Sequence, residues 1–233
     1  MDLDGARIVV AGATGVFGGT LARELAAGGA EVGVMGRNAE RLDAVAEELD
    51  APSARFDAAD PGSCRHGVDA LAAALGGLDV FAVTAGVAAF GAAGELDTET
   101  IEAVFAANVT GPIALIDEAL GHLEDDGAVV ALSAIVADYP TAGVAAYSAS
   151  KAALSAYVTA LRRERRKQGL TVLDVRPPHM DTDFADRALT GSPPPLPAPL
   201  DHHDVVAAVI DALRDGRREV AWDLQSKALV ARG

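Results

Sequence analysis

The sequence predicts an α/β fold in which a doubly wound, parallel sheet of seven strands is flanked by helices. Short apolar runs alternate with longer segments whose apolar residues recur at helical spacing. Most of the short runs are apolar at consecutive positions, as expected for strands that are covered on both faces. The chain has 233 residues and is 50% hydrophobic, which is enough for one sizeable core. We therefore expect a single domain over residues 1–233.

The expected elements alternate along the chain, which is the pattern of a parallel sheet with helical crossovers. The strand patterns cover 7–12, 31–36, 53–57, 78–86, 127–133, 170–177 and 218–223. The helical patterns cover 18–28, 38–49, 61–75, 98–122, 146–168 and 202–215. The proline-rich stretch 190–201 suits neither a long helix nor a central strand. We expect it to form a loop within a substrate lid around 179–203, in preference to a ligand for another protein.

Charge and cysteine content narrow the function classes. The net charge is −15, and an acidic surface repels both nucleic acid and anionic membranes. The single cysteine, Cys64, excludes a disulfide within the chain and suits a reducing compartment. The first apolar run is too short and too interrupted for a signal or membrane helix. We expect a cytoplasmic protein with a small-molecule partner.

A glycine-rich loop joins the first strand to the first helix. Gly12, Gly15 and Gly18 form a G-x-x-G-x-x-G pattern at this junction. The first glycine permits a tight turn, and the others allow the backbone to approach a ligand closely. The amino end of the following helix favours an anionic pyrophosphate. A strand before the glycines and an amphipathic helix after them predict a Rossmann-type dinucleotide site.

The end of the second strand bears on which dinucleotide binds. A site for NAD(H) usually places an acidic residue there, to bind the ribose hydroxyls. This sequence has Arg37 instead, and a guanidinium matches the geometry of a 2′-phosphate. An ordinary solvated arginine at the start of a helix is the alternative interpretation. We expect NADP(H) in preference to NAD(H).

A tyrosine and a lysine are spaced for acid–base chemistry. Tyr147 and Lys151 lie four residues apart, so that on a helix they share one face. A nearby ammonium favours the phenolate and lowers the pKa of the tyrosine. Tyr147 is therefore a candidate general acid or base.

These motifs, taken together, resemble the short-chain dehydrogenase/reductase family over essentially the whole chain. The glycine loop is followed in the family's order by Asp57, "TAG" at 84–86, Asn108, Ser133, "YSASKAAL" at 147–154 and "RPPHMDT" at 176–182. The resemblance implies a ketoreductase-like hydride transfer between a nicotinamide cofactor and a carbonyl or alcohol substrate. It also implies a homodimer or homotetramer.

The resemblance implies a role for each matching residue. Tyr147 would protonate the carbonyl oxygen or deprotonate the alcohol, and Lys151 would hold the nicotinamide ribose and lower the tyrosine pKa. Asn108 would anchor a water in a proton relay through Lys151. Asp57 would contact adenine, and Gly86 would pack beside the adenosine ribose. The remaining cofactor contacts implied are Thr14, Phe17, Ala85, Pro177, Met180 and Thr182. Asn108 satisfying only backbone groups, and Asp57 or Thr182 only capping local structure, are the alternatives.

Three positions depart from the family pattern in the cofactor region. Val16 stands where the common loop has its middle glycine, and Gly15 takes that role. Val83 and Thr84 replace two asparagines, and Thr84 alone retains a hydrogen-bonding side chain. Pro178 follows Pro177 where a glycine is usual, which removes an N–H and stiffens the path towards the expected lid.

A fourth departure concerns the hydroxyl that would bind the substrate oxygen. In the family the catalytic serine usually precedes the tyrosine by thirteen residues, and that position here is Ala134. Ser133 lies one residue earlier. Successive strand residues point to opposite faces, but a bulge at the strand end re-aims a side chain. We expect Ser133 to be the donor; loss of the catalytic hydroxyl is the alternative.

Other features of the sequence leave substrate and chemistry less defined. The adjacent His202 and His203 lack a third ligand at helical spacing, and we expect no metal site. The substrate determinants are expected in 87–96, 134–146 and 179–203. The altered serine position also permits a net non-redox reaction, such as epimerisation, dehydration or cyclisation, on the same fold. A non-catalytic nucleotide-binding regulator is the third hypothesis.

Overall fold

An eight-stranded sheet forms the centre of the protein in the computed structural model, which describes residues 1–233. Its spatial order is β3-β2-β1-β4-β5-β6-β7-β8. The first seven strands pair in parallel, and β8 runs antiparallel to β7. The strands are β1 (Arg7–Ala11), β2 (Glu31–Gly36), β3 (Ser53–Arg55), β4 (Leu78–Val83), β5 (Leu123–Leu132), β6 (Thr171–Arg176), β7 (Glu219–Asp223) and β8 (Ala228–Arg232).

Helices cover both faces of the sheet, because the strand order reverses direction between β1 and β4. They are α1 (Val16–Ala27), α2 (Ala39–Leu49), α3 (Pro61–Leu75), α4 (Thr98–Phe105), α5 (Gly111–Ala119), α6 (Ala145–Glu164) and α7 (His202–Arg214). One core contains side chains of α1, α2 and α7, such as Leu21, Leu42 and Val206. The other contains Leu71 of α3, Leu115 of α5 and Leu154 of α6. Even and odd positions of each central strand thus enter different cores.

The predicted doubly wound α/β fold is confirmed, but the predicted number of strands is wrong. The eighth strand, β8, is a five-residue edge strand that leaves much of its surface exposed. It lacks the consecutive apolar pattern that identified the buried strands. The boundaries also differ, because α5 ends at Ala119 and β5 begins at Leu123.

The predicted helix 98–122 is interrupted by an irregular turn. Between α4 and α5 the chain forms a π-helix over Ala106–Thr110. One turn of wider backbone rotates the residues that follow it, and such turns are common at functional sites. Here the turn places Asn108 in a fully buried position. The joint stretch Thr98–Ala119, with mean hydropathy 1.2, is also the one helical segment long and apolar enough to cross a membrane. Core helices share that composition, and a third of it is buried here.

A buried ion network fixes the loop that follows β5. Arg176 of β6 contacts Asp174 at 2.5 Å, Asp138 of that loop at 2.8 Å and Glu219 of β7 at 3.1 Å. Asp174 is fully buried and also accepts a hydrogen bond of 2.6 Å from Ser155 of α6. Breaking one partner of a buried pair is strongly destabilising. The network therefore holds together β6, β7, α6 and the loop around Asp138.

The chain after β6 crosses the carboxyl ends of the strands without forming a helix before His202. Its backbone is tied to the segment after β4, where the Leu189 N–H donates to the Ala88 carbonyl at 2.8 Å. The Phe90 N–H donates in return to the Thr190 carbonyl at 3.0 Å. A bridge between Met180 and Leu200 closes the base of the crossing segment. The predicted loop at 190–201 is confirmed as irregular structure. These backbone hydrogen bonds hold the crossing segment in place over the carboxyl ends of the strands.

Candidate active site

A cavity of about 920 Å³ opens at the carboxyl ends of the central strands. It extends from the glycine loop after β1 to the segment that crosses after β6. Ligands of open α/β sheets bind in this crevice, where the strand order reverses. All of the predicted cofactor-binding residues, with Ser133, Tyr147 and Lys151, border the cavity, whereas Asn108 lies behind it.

The glycine loop is packed tightly against the end of β4. Gly12 has a φ of +100°, and a Cβ there would lie 2.6 Å from the Ala85 nitrogen. A Cβ on Gly18 would overlap the Gly12 carbonyl oxygen and the Thr84 hydroxyl. Thr84 Oγ1 donates to the Ala11 carbonyl at 3.0 Å, so that it joins the ends of β1 and β4. Both glycines are required by close contacts within the protein itself.

Gly15 differs from these two glycines, because its missing side chain leaves space in the cavity. A Cβ on Gly15 would meet only the Gly12 carbonyl, at 3.4 Å. Gly15 is the N-cap of α1, and no side chain caps the helix. The first N–H groups of a helix have no partner within the helix, and the helix dipole favours an anion there. The open space and the free donors fit the pyrophosphate of a dinucleotide.

The far end of the cavity carries positive charge next to β2. Arg37 follows β2 and borders the cavity, opposite Asp57 and the segment after β3. Arg55 Nε donates to the Arg37 carbonyl at 3.0 Å, which brings a second guanidinium to this corner. Sequence reasoning missed Arg55. The sequence signal that could have identified Arg55 is its position at the end of the β3 pattern. In the structure Arg55 pairs in register with Gly36 of β2.

The Asp57 carboxylate holds a local turn in this structure. One oxygen accepts a hydrogen bond of 3.0 Å from the Ala59 N–H. The N-cap of α3 is Asp60, so Asp57 does not cap that helix. Because Asp57 also borders the cavity, it remains available for the predicted contact with adenine.

Lys151 is almost completely buried between α6 and the end of β5. Its Nζ donates to the Leu132 carbonyl at 2.8 Å and lies 5.9 Å from the centroid of the Tyr147 ring. Burial lowers the pKa of Lys151 to about 8, and the charge of Asp174 opposes that shift. A Cβ on Gly86 would lie 3.3 Å from Nζ. The glycine at this position therefore leaves room for the ammonium at the border of the cavity.

Tyr147 borders the cavity one helical turn before Lys151. Its ring packs against Phe184 of the crossing segment, with 5.9 Å between ring centroids. Burial raises the pKa of its phenol above the ordinary value. The expected lowering by the ammonium is therefore not found in this state. The Lys151 ammonium donates its hydrogen bond to the Leu132 carbonyl rather than to the phenol.

Asn108 makes a complete set of hydrogen bonds behind the cavity. Its Oδ1 accepts from the Val87 N–H at 2.8 Å, and its Nδ2 donates to the Val87 carbonyl at 2.9 Å and to Ser150 Oγ at 3.0 Å. These bonds fasten the segment after β4 to α6. This arrangement is the positional role that the sequence left as the alternative to a proton relay.

The end of β5 places its two candidate positions differently. The Ser133 N–H donates to the Val175 carbonyl at 2.8 Å, and the Ser133 hydroxyl is buried without a hydrogen-bond partner in the chain. Ala134 borders the cavity with its backbone extended. Apolar side chains from three separate segments complete the wall around Tyr147. These are Phe90, Val136, Phe184 and Leu189. The sequence located the segments but not the individual residues, because only the folded chain brings them together.

Comparison with known proteins decides the family. A family model described as short chain dehydrogenase matches residues 6–191. The chain belongs to the short-chain dehydrogenase family. The predicted resemblance is thereby confirmed.

Relatives within the short-chain dehydrogenase family carry several different names. The chain is 31% identical over 196 residues to Dehydrogenase/reductase SDR family member 7B of Bos taurus. The matched region covers 78% of this chain but only 60% of that relative. It is 30% identical over 181 residues to the Cyclic-di-GMP-binding biofilm dispersal mediator protein of Escherichia coli, covering 77% and 75% of the two chains. It is 29% identical over 192 residues to Gluconate 5-dehydrogenase of Gluconobacter oxydans, covering 79% and 75%.

Solved structures of the short-chain dehydrogenase family share the fold. A short chain dehydrogenase from Burkholderia cenocepacia in complex with NADP superposes with a TM-score of 0.81, at 31% identity, over 91% of this chain and 92% of that chain. A blue fluorescent protein from a metagenomic library, in complex with NADPH, gives a TM-score of 0.82 at 28% identity over 91% and 92%. These likenesses support a nicotinamide cofactor in the crevice described above.

Two glycine substitutions are expected to separate packing from ligand binding. Gly15→Ala should leave the melting temperature within about 2 °C of the original, because the methyl group meets only an ordinary contact. It should weaken binding of NADPH at least about tenfold, since the methyl group occupies the pyrophosphate space. Gly18→Ala should lower the melting temperature by several degrees as well, because its methyl group overlaps backbone. Thermal unfolding and NADPH fluorescence titration measure both effects. Equal losses of stability in the two variants would contradict this assignment.

Replacement of Lys151 by methionine is expected to stabilise the free protein at pH 7. The pKa of Lys151 falls from 10.5 to about 8 on folding, so below pH 8 the folded state carries a buried charge that the unfolded chain solvates. At 1.36 kcal/mol per pKa unit, the gain is about 3 kcal/mol. As the pH rises from about 8 to 10.5, the free energy of unfolding of the original protein should rise towards that of the variant, because folding in this range releases the proton of Lys151. Urea unfolding at pH 7 and pH 10 measures this, with the exposed Lys167→Met as control. A destabilised Lys151→Met variant at pH 7 would refute it.

Proposed function

We propose that the protein is an NADP(H)-dependent oxidoreductase that interconverts a carbonyl compound and the matching alcohol, with Tyr147 as general acid or base. The observation that carries this proposal is the shared cavity. Tyr147 borders the same cavity as the free amino end of α1, and Lys151 lies one helical turn from Tyr147. A phosphate cradle and an acid–base pair in one crevice are the two parts that hydride transfer to a carbonyl needs.

The residues of the chain would divide the chemistry as follows. The bound nicotinamide supplies or accepts the hydride. Tyr147 donates its phenolic proton to the carbonyl oxygen during reduction, and takes it back during oxidation. Lys151 holds the ribose hydroxyls and, once turned from the Leu132 carbonyl, places its positive charge near the phenol. Asn108 keeps the segment after β4 fastened to α6, so that Gly86 leaves room for the ammonium.

The preference for NADP(H) rests on the positive corner next to β2. Arg37 and Arg55 are close together there, joined by the hydrogen bond from Arg55 Nε to the Arg37 carbonyl. No carboxylate follows β2, where one would repel a 2′-phosphate. Two guanidinium groups match phosphate by charge and geometry. The complexes of the two similar structures with NADP and NADPH support this choice.

Removal of the Arg37 side chain is expected to weaken NADPH binding by about tenfold to a hundredfold, which is the range of a lost charge-assisted hydrogen bond. Binding of NADH should change less than twofold, because it has no 2′-phosphate. Nicotinamide fluorescence titrations of Arg37→Ala with both nucleotides measure this difference. Arg214→Ala is the matched control, since it removes an equal charge from α7, away from the cavity. Tighter binding of NADH than of NADPH by the original protein would exclude the NADP(H) preference.

Tyr147→Phe is expected to lower kcat for carbonyl reduction by about 10²–10⁴, the usual contribution of a positioned acid. The affinity for NADPH should remain, because the ring still fills its place against Phe184. Steady-state NADPH oxidation with a panel of carbonyl compounds, together with NADPH titration, separates the two quantities. Turnover that survives the substitution unchanged would remove Tyr147 from the proposed mechanism.

The same experiments distinguish the two alternative hypotheses. A net non-redox enzyme would form product at the oxidation level of its substrate without consuming NADPH. A nucleotide-binding regulator would bind without turnover, and the name of the Escherichia coli relative describes binding of cyclic-di-GMP. Titration with cyclic-di-GMP therefore belongs beside the NADPH titration. Binding of cyclic-di-GMP in place of NADPH would favour the regulator.

A further inference from the structure

The strand end next to Tyr147 buries its one hydroxyl, although Ser133 itself is among the residues that border the cavity. The Ser133 N–H and the Ile135 N–H both continue the ladder to β6, at 2.8 Å and 2.9 Å. Ala134 between them is fully extended, with φ −169° and ψ 160°. The alternation of the strand therefore continues past Leu132. Ser133 falls on the face of Val129 and Ala131, which enters the core beneath α6.

The surroundings of Ser133 do not prepare its hydroxyl for a ligand. The residue is 2% exposed, and its Oγ has no hydrogen-bond partner in the chain. The nearby ammonium of Lys151 is directed to the Leu132 carbonyl instead. Buried polar atoms in proteins are nearly always paired. The Ser133 hydroxyl is an exception, which contributes to packing but makes no hydrogen bond within the chain. The hydroxyl therefore has almost no accessible surface at which a substrate in the cavity could meet it.

The neighbouring position that does face the cavity carries only a methyl group. Ala134 is 9% exposed and borders the cavity together with Tyr147. A hydroxyl at such a position would donate to the oxygen on which negative charge develops, and one donor of that kind contributes about 10²–10³ to kcat. At the end of β5 this contribution is missing.

The hydrophobic cluster in which Tyr147 packs contains Phe90, Val136 and Phe184. Leu189, Pro194 and Leu196 of the crossing segment add apolar side chains to the border of the cavity, which also has polar side chains such as Thr141 and His179. Two side-chain cations border the cavity outside the cofactor region. Arg187 is paired with Asp183 at 2.8 Å, and Lys227 lies in the turn between β7 and β8. A charged substrate group placed against the apolar cluster around Tyr147 would lose its hydration without gaining a charged partner within that cluster. An apolar substrate would gain by the burial of its surface.

We infer that the cavity takes apolar, uncharged carbonyl compounds with an electron-poor carbonyl carbon, such as aldehydes and 1,2-diketones, because Ala134 leaves Tyr147 as the hydroxyl donor to the reacting oxygen. The inference rests on the proposed function. In the step concerned, a hydride from the reduced nicotinamide bonds to the carbonyl carbon, and the phenolic proton of Tyr147 goes to the oxygen. In a 1,2-diketone the second carbonyl group spreads the charge that a second donor would otherwise stabilise, and an aldehyde carbon lacks the second electron-donating carbon substituent of a ketone. Simple ketones have neither advantage and should react slowly.

Two matched pairs of compounds test the substrate class. 1-Phenylpropane-1,2-dione and propiophenone share a skeleton and differ in the second carbonyl group. 4-Methylbenzaldehyde and 4-formylbenzoate have nearly the same shape and differ in charge. We expect kcat/KM with NADPH to favour the diketone at least about a hundredfold, in line with one missing donor. We expect the methyl compound to be favoured over the carboxylate at least about tenfold, from the desolvation of the carboxylate.

Two variants test the assignment of the hydroxyl. Ala134→Ser should raise kcat for propiophenone at least about tenfold, because it places a hydroxyl donor at the cavity face. The difference in kcat/KM between propiophenone and the diketone should then become smaller. Ser133→Ala should leave kcat/KM within about twofold, because its hydroxyl does not reach the substrate. A Ser133→Ala variant that loses kcat while retaining its melting temperature and NADPH affinity would make Ser133 the donor and overturn the inference. An Ala134→Ser variant that folds, binds NADPH and gains nothing would do the same.

A binding measurement keeps this inference separate from the proposed function. Trp222 is the single tryptophan of the chain and borders the cavity, so its fluorescence reports occupancy of the NADP⁺ complex without turnover. Quenching by 4-methylbenzaldehyde but not by 4-formylbenzoate, and tighter binding of propiophenone by Ala134→Ser, are the expected results. Equal or tighter binding of the carboxylate would overturn the substrate class. Bound NADPH with no turnover of any compound would count against the proposed function, and these binding results would still decide the inference.

Discussion

The hydrogen bond from the Lys151 ammonium to the Leu132 carbonyl connects α6 to the sheet. It joins α6 to the last residue of β5 across a nearly dry junction. A charge is retained there at a cost in stability, because burial alone disfavours it. The bond fixes the height of α6 above the strand ends, and with it the place of Tyr147 one turn earlier. Beyond that carbonyl the backbone continues its hydrogen bonds to the neighbouring chain of β6. The opposite directions of Ser133 and Ala134 follow from that continuation.

Small residues let the rest of the site form around this junction. Gly86 leaves the space into which the ammonium and the Asn108 side chain fit. Gly12 and Gly18 let the nucleotide-binding loop lie directly on the end of β4, where Thr84 joins two strands through its hydroxyl. Gly15 alone keeps its space for a ligand. The site is therefore defined as much by close backbone packing as by reactive side chains.

The predictable parts of this protein depend on residues that are near one another in sequence. The parallel strands were predicted because burial on both faces makes consecutive residues apolar. The glycine loop and the pair of Tyr147 and Lys151 were predicted because their spacing sets their geometry. Burial worked against the pKa argument for Tyr147, since a sequence gives the charge of a neighbour but not the loss of water around the phenol. The π-helix that carries Asn108 was missed for a related reason, because packing against Val87 and α6 selects it.

Other parts were unpredictable because they form only in the folded chain. The apolar wall around Tyr147 combines side chains from segments almost a hundred residues apart, and no local pattern joins Phe90 to Phe184. Arg55 supports the positive corner only because β3 lies next to β2 in register. The last strand, β8, has too little buried surface to show a strand pattern. In each case the information lies in the pairing of elements rather than in their composition.

The hairpin of β7 and β8 affects whether copies of the protein aggregate at high concentration. A sheet edge with unpaired backbone groups is a template for another strand and can lead to aggregation. One edge here is β3, with three residues, and β7 is covered by the short antiparallel β8. Arginine at the end of β8 adds charge to that edge. Because the same hairpin carries Trp222 and Leu224 to the border of the cavity, shortening the chain to remove β8 would expose the unpaired edge of β7 and also open one side of the cavity.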